Sequence, residues 1–212
     1  SSVPSYDFSN ASGCIEALKS PNMAARYVAF TELKKMGNQA IGALKSMAQD
    51  GNPRFQARAI WLMGKIAADA NSIVKQAIQN EDANIRIVGL RLARQLNNVD
   101  TLAVVAELVD DPSSQVRREC GVALNEHTSP QAIALWAKLA ARHDGNDRWY
   151  LEALGIAADG DWDRCLAQYL EAVGDEWNSQ AGRDIIWRSR SSQTAALISR
   201  LVQSQQTPDA EI

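Results

Sequence analysis

Asp111-Pro-Ser-Ser-Gln-Val-Arg117 decides the fold. It reads as a turn opened by Asp and Pro, then an aliphatic residue, then Arg. A helical run follows, Arg118 to Leu124 (RECGVAL). The same order recurs along the chain, at Ala25-Arg26, Ala57-Arg58, Ile85-Arg86, Val116-Arg117, Asp147-Arg148 and Gly182-Arg183. The arginines are spaced by 32, 28, 31, 31 and 35 residues. Each interval holds two short helical patterns, as in Arg58 to Ala68 (RAIWLMGKIAA) followed by Ser72 to Gln79 (SIVKQAIQ). Pro21, Pro53 and Pro112 stand where helices begin, and Ser129-Pro130 offers an N-cap with Pro at the first helical position. Asp50-Gly51, Asp110-Asp111 and Asp144-Gly145 fall just before the Arg-bearing helices.

A two-helix unit of this length cannot bury its own apolar face, whereas stacked units can. The spacing predicts an all-α, right-handed α-α superhelix of about six units, with 12 or 13 helices. The units are drawn at 21–51, 52–81, 82–111, 112–145, 146–176 and 177–206, with a covering helix around Ser12–Ser20. They form one domain over 12–206; residues 1–11 read as a linker or excision boundary and 207–212 as a polar tail. Two linker-like ends suggest a piece of a larger protein. The absence of any period-two run argues against strands.

Composition agrees. Of 212 residues, 46% are hydrophobic and 22% charged, ordinary values for a globular chain. Alanine occurs 33 times and leucine 18, with aromatics at only 6%, a balance that favours packed helices. No apolar run is long enough to span a bilayer. The net charge of −3 argues against a binder held by phosphate neutralisation.

The repeated Asp-x-x-Val-Arg element and the apolar helix after it resemble HEAT repeats of the PBS-lyase type. That resemblance covers nearly the whole chain and implies an α-solenoid. It also implies a structural ladder of Arg26, Arg58, Arg86, Arg117, Arg148 and Arg183, bonding between neighbouring repeats. Asn146 to Ala158, Trp162-Asp163 and Ala181 to Arg190 resemble the HEAT segment of large exported planctomycete-type multidomain proteins. Those often carry a sugar-dehydrogenase-like propeller and a haem-binding CxxCH domain. Neither is present in this chain, so the resemblance implies a role as a module, and export of the parent, but no redox residue.

Chemistry is sparse. Cys14, Cys120 and Cys165 are distant from one another and show neither a CxxC nor a zinc spacing. They read as buried apolar side chains. His127 and His143 read as surface or capping residues, and the lack of any His-Glu step, Glu126-His127 being in reverse order, excludes a di-iron site. Asp159-Gly-Asp-Trp-Asp163 lacks the glycine and glutamate of a calcium loop and reads as a turn with Asp161 or a neighbour capping the next helix. No cofactor and no metal are expected.

Tryptophan is more telling. Trp136, Trp149, Trp162, Trp177 and Trp187 crowd the last third, against Trp61 alone before them. Arg148, Arg183, Arg188 and Arg190 share that region. Such a set is either a bulky core or a binding surface. Trp149 and Trp187 follow a ladder Arg by one to four residues and are placed on second helices, the usual concave lining. The candidate surface is therefore Arg148, Trp149, Tyr150, Arg183, Trp187 and Arg188.

The function expected is a non-catalytic protein–protein interaction or spacer module, serving a protein partner or other domains of its parent. One alternative is a ligand- or polysaccharide-binding part of an exported oxidoreductase, with its chemistry elsewhere. Another is a DNA glycosylase on a HEAT-like scaffold. Charge opposes the last: residues 111–212 carry 10 basic and 15 acidic side chains, against 12 and 10 in residues 1–110.

Overall fold

The computed structural model describes residues 5–125 and 127–203. Most of the expected linker is therefore visible, while the tail at 207–212 and Glu126 lie outside the described residues. The described chain is all-helical, with no strand among its residues. No helix among them is long and apolar enough to cross a membrane.

The chain divides into two compact units, residues 1–101 and 102–212. The first holds α1 (Ala11–Lys19), α2 (Met23–Met36), α3 (Ile41–Ala48), α4 (Pro53–Ile66), α5 (Ala70–Ile78) and α6 (Ala83–Ala93). α1 packs on α2, α3 on α4 and α5 on α6, while α2, α4 and α6 lie side by side. Leu33, Leu44, Leu62, Leu90 and Leu92 fill the space between them.

The second unit holds α7 (Thr101–Leu108, whose first residue closes the first unit), α8 (Ser114–Ala123), α9 (Pro130–Ala140) and α10 (Arg148–Ala157). α11 (Trp162–Val173), α12 (Gln180–Arg188) and α13 (Thr194–Gln203) complete it. α8 packs on α10, α9 on α11, and α10 on α12. Trp136 is fully buried; its indole Nε1 donates to Leu154 O at 2.9 Å, and its ring meets Trp162 edge-on at 5.8 Å.

Local chemistry sets the entry into α2, α4, α6, α8 and α10. A short polar side chain accepts a bond from the backbone N–H two residues on: Ser20 from Asn22, Asp50 from Asn52, Asn80 from Asp82, Asp111 from Ser113 and Asp144 from Asn146. The second residue is often the N-cap itself, as Asn22, Asn52 and Asp82 are. Six residues after the turn begins, the guanidinium folds back. Arg26 Nη1 donates to Ser20 O and Pro21 O at 3.0 and 2.7 Å. Arg86 does the same to Asn80 O and Glu81 O at 2.9 and 2.8 Å, and Arg117 to Asp111 O and Pro112 O at 2.7 and 3.2 Å.

Arg58 and Arg148 depart from this six-residue count, although Arg58 still bonds to a neighbouring helix pair as expected of the ladder. Counted from Asp50, the sixth residue is Gln56, so Arg58 lies two positions late. Its Nη1 reaches the end of α1 instead, at Leu18 O (2.9 Å) and Lys19 O (3.4 Å). Counted from Asp144, the sixth residue is Tyr150, and Arg148 is the first residue of α10 with its side chain in solvent. Arg183 Nε donates to Asn178 O and Oδ1, both at 3.2 Å.

Arg117→Ala should therefore leave two turn carbonyls without their donor and cost about 1–3 kcal/mol. Arg118→Ala, one residue on, should stay within about 0.5 kcal/mol of the parent. Paired urea melts followed by circular dichroism decide it; equal midpoints would remove the turn bond from the stability of the fold.

Candidate functional site

Among the described residues, no group of three or more His, Cys, Asp and Glu side chains converges as a metal site would require. The carboxylates of the 159–163 stretch diverge. Asp161 stands at the N-cap of α11, as expected, but its carboxylate pairs with Arg164 and makes no side-chain cap bond. Asp163 accepts from Ser191 Oγ, Ser192 N and Ser192 Oγ at 2.7, 2.7 and 2.9 Å. The Ser191 hydroxyl bond, then the Ser192 amide, hold its carboxyl below the ordinary value.

The three thiols are buried. Burial pushes Cys120 and Cys165 up to about 12 and raises Cys14 as well, each assisted by nearby carboxylates. A nucleophilic thiol needs the opposite shift.

His143 is not the surface residue the sequence suggests. Its side chain is 1% exposed, Nε2 lies 3.0 Å from Asp184 Oδ2, and the ring stacks on Tyr150 at 6.0 Å. Nδ1 is buried without a hydrogen-bond partner. A bare lone pair there is cheaper than an unpaired N–H, so the arrangement favours the tautomer in which Nε2 donates to Asp184. His127 is exposed, as expected.

The expected C-terminal surface separates into two groups. Trp149 and Trp187 stand out of α10 and α12, 70% and 75% exposed. Both are on the Arg-bearing helices α10 and α12, each the first helix within its expected unit, and not on second helices. Arg148 is exposed beside Trp149, its Nε 3.9 Å from Glu152 Oε1. The other three residues are structural. Tyr150 is buried and its hydroxyl donates to Leu139 O at 2.9 Å. Arg183 is spent on Asn178. Arg188 lies against α10: Nε meets Glu152 Oε2 at 3.1 Å, the guanidinium sits 6.0 Å from the Trp162 ring centre, and Gly155 provides the room, since a Cβ there would strike it. Of the remaining tryptophans, Trp136 and Trp162 are core, and Trp177 lies 4.6 Å under the Arg200 guanidinium.

Sequence reasoning missed a second surface in the first unit. Met23 and Tyr27 of α2 are 73% and 72% exposed. With Phe30 and with Trp61 of α4 they border an open groove of about 680 Å³ that reaches Val88 of α6. Arg26 and Arg58 also line it. Burial lowers the pKa of the Arg58 guanidinium, and the charges of Arg26 and Arg54 lower it further. The signal was visible in α2, MAARYVAFTELKKM, whose N-terminal half is apolar except for Arg26. Only Ala29 and Leu33 are needed for its buried side.

No family model matches the chain, and no curated protein matches it.

The thiol environments make a prediction. At pH 8 the native protein should give no fast reaction with a disulfide reagent, and all three thiols should react after unfolding in guanidinium. A fast stoichiometric reaction in the native state would mean that one of them is accessible and activated.

Proposed function

We propose that this chain is a non-catalytic interaction module. It is built of HEAT-like two-helix units stacked as a right-handed solenoid, and it serves a protein partner or further domains of a longer parent. The repeat reading is supported by the turn-to-arginine bonds that recur at Arg26, Arg86 and Arg117 with the same six-residue count.

One observation carries the interaction reading: two tryptophans, on the packed helices α10 and α12, leave most of their rings in water. Each ring offers about 150–250 Å² of surface for burial against a partner at little cost in side-chain entropy. Neither ring is needed by the core, which uses Trp136 and Trp162. The exposed Arg148 supplies a polar rim beside Trp149.

Trp149→Ala combined with Trp187→Ala should leave the helical circular dichroism and the melting curve nearly unchanged. In affinity capture from an extract of the source cells, that variant should lose the proteins that the parent chain retains. The reading fails if both chains retain the same proteins, or if the double variant melts early and the rings prove to belong to the core.

A further inference from the structure

The groove of the first unit has a chemistry of its own, and it lies on the helices that carry the turn arginines. Its walls come from α2, α4 and α6, which lie side by side, with Leu18 at the end of α1. Met23, Tyr27, Phe30 and Trp61 supply apolar surface; Arg26, Arg58 and Arg91 are the arginines that line it. No acidic residue is among the side chains that line it. Arg26 and Arg58 each commit Nη1 to backbone carbonyls, which fixes their position and keeps the guanidinium charge at the groove. The mutual effect of Arg26, Arg54 and Arg58 is repulsive. An anionic group brought to this place would relieve that repulsion as well as form its own pairs.

Backbone chemistry narrows the occupant. Every wall is an α-helix, whose main-chain groups are already paired along the helix axis. The groove therefore offers no strand edge against which an extended peptide could bond its own N–H and C=O groups. A polypeptide that enters must bring its backbone already satisfied, which means a helix. The openness of the site disfavours a small amphiphile, because Met23 and Tyr27 stand nearly three-quarters in water and would leave such a ligand largely uncovered. Three neighbouring helices at about 10 Å spacing give a face roughly 20 Å across, the length of about 14 helical residues.

We propose that the α2–α4–α6 face of the first unit binds an amphipathic helix of a protein partner, with an apolar stripe on Tyr27, Phe30 and Trp61 and acidic side chains toward Arg26 and Arg58. This deepens the interaction-module reading and rests on it, but uses a different surface from Trp149 and Trp187.

The test uses the whole chain and fluorescein-labelled peptides of about 14 residues in anisotropy titrations. One peptide is a helix with Leu and Phe on one stripe and Glu on its flanks. Its twin carries Lys for Glu, a third has the acidic composition scrambled, and a fourth probe is a single-stranded oligonucleotide. The acidic helix should bind about tenfold or more tightly than the Lys twin, and more tightly than the scrambled peptide. Tyr27→Ala, at an exposed position, should weaken it by about tenfold with the circular dichroism unchanged. Arg54→Glu, also exposed, should narrow the difference between the twins.

Equal binding of the twins, equal binding of the scrambled peptide, tighter binding of the oligonucleotide, or indifference to Tyr27→Ala in a folded protein would each overturn the proposal. If the peptides fail while capture through Trp149 and Trp187 persists, this inference falls alone. If the acidic helix binds while capture ignores the tryptophans, the surface assigned to the interaction reading falls instead and this one stands.

Discussion

A helix that starts from a tight turn leaves carbonyls at its entrance that no helical N–H can reach. Here a guanidinium from the first turns of the same helix bends back and donates to two of them in succession, as Arg26, Arg86 and Arg117 all do. The short polar residue that opens the turn uses its side chain on the N–H two residues later and gives its own carbonyl to the arginine. One residue is thus tied at both ends, and the angle at which the chain enters the helix is fixed. Packing of α1 on α2, α5 on α6 and α8 on α10 depends on those angles being reproducible. The first carbonyl of each pair is part-buried and the second is exposed, so the arginine contributes most at the first, where water is the poorer substitute.

That logic explains which parts of the sequence were legible. The helices and their starts follow from Asn, Asp, Ser and Pro at turns, because caps act within a few residues and need no tertiary context. The arginines were harder. Spacing from one arginine to the next points to Arg58 and Arg148, yet the determining distance runs from the turn to the arginine within one helix. By that count Gln56 and Tyr150 occupy the two positions. Tyr150 fills its place with a ring under the Arg117 guanidinium, 5.7 Å from it, and a hydroxyl on Leu139 O. A ladder site can be filled by an aromatic residue when a neighbouring arginine remains to lie over it, and composition alone does not reveal that exchange.

The burial of individual side chains was less legible, for a geometric reason. In α9 (PQAIALWAKLA) Gln131, Ala134 and Lys138 recur at helical spacing and are the exposed face, whereas the start of α2 (MAARYVAF) has Arg26 as its one charged side chain, which does not rank Met23, Tyr27 and Phe30 against one another. α9 packs on α11, and Trp136 is core; α2 packs on α1 and beside α4, and Met23 and Tyr27 stay in water. His143 went the other way. It looks like a polar residue at a helix end, but α12 places Asp184 within 3.0 Å of it across 41 residues of sequence. A pairing over that separation has no local signal.

Counting arginines near tryptophans also overstates the anion-binding capacity of the second unit. Arg188 is paired with Glu152, Arg148 approaches the same carboxylate, Arg164 holds Asp161, and Arg142 reaches Asp110 at 3.1 Å. Each of these cations has a carboxylate close by, so the field beyond the surface is weak even where the aromatic rings are exposed. In the first unit, Arg26 and Arg58 at the groove bond neutral carbonyls, which orient a guanidinium without cancelling its charge. The two surfaces therefore differ in kind. The tryptophans of α10 and α12 suit burial against an apolar partner surface, and the charge-selective face belongs to α2, α4 and α6. The overall charge of the chain, −3, conceals this division because it sums over both.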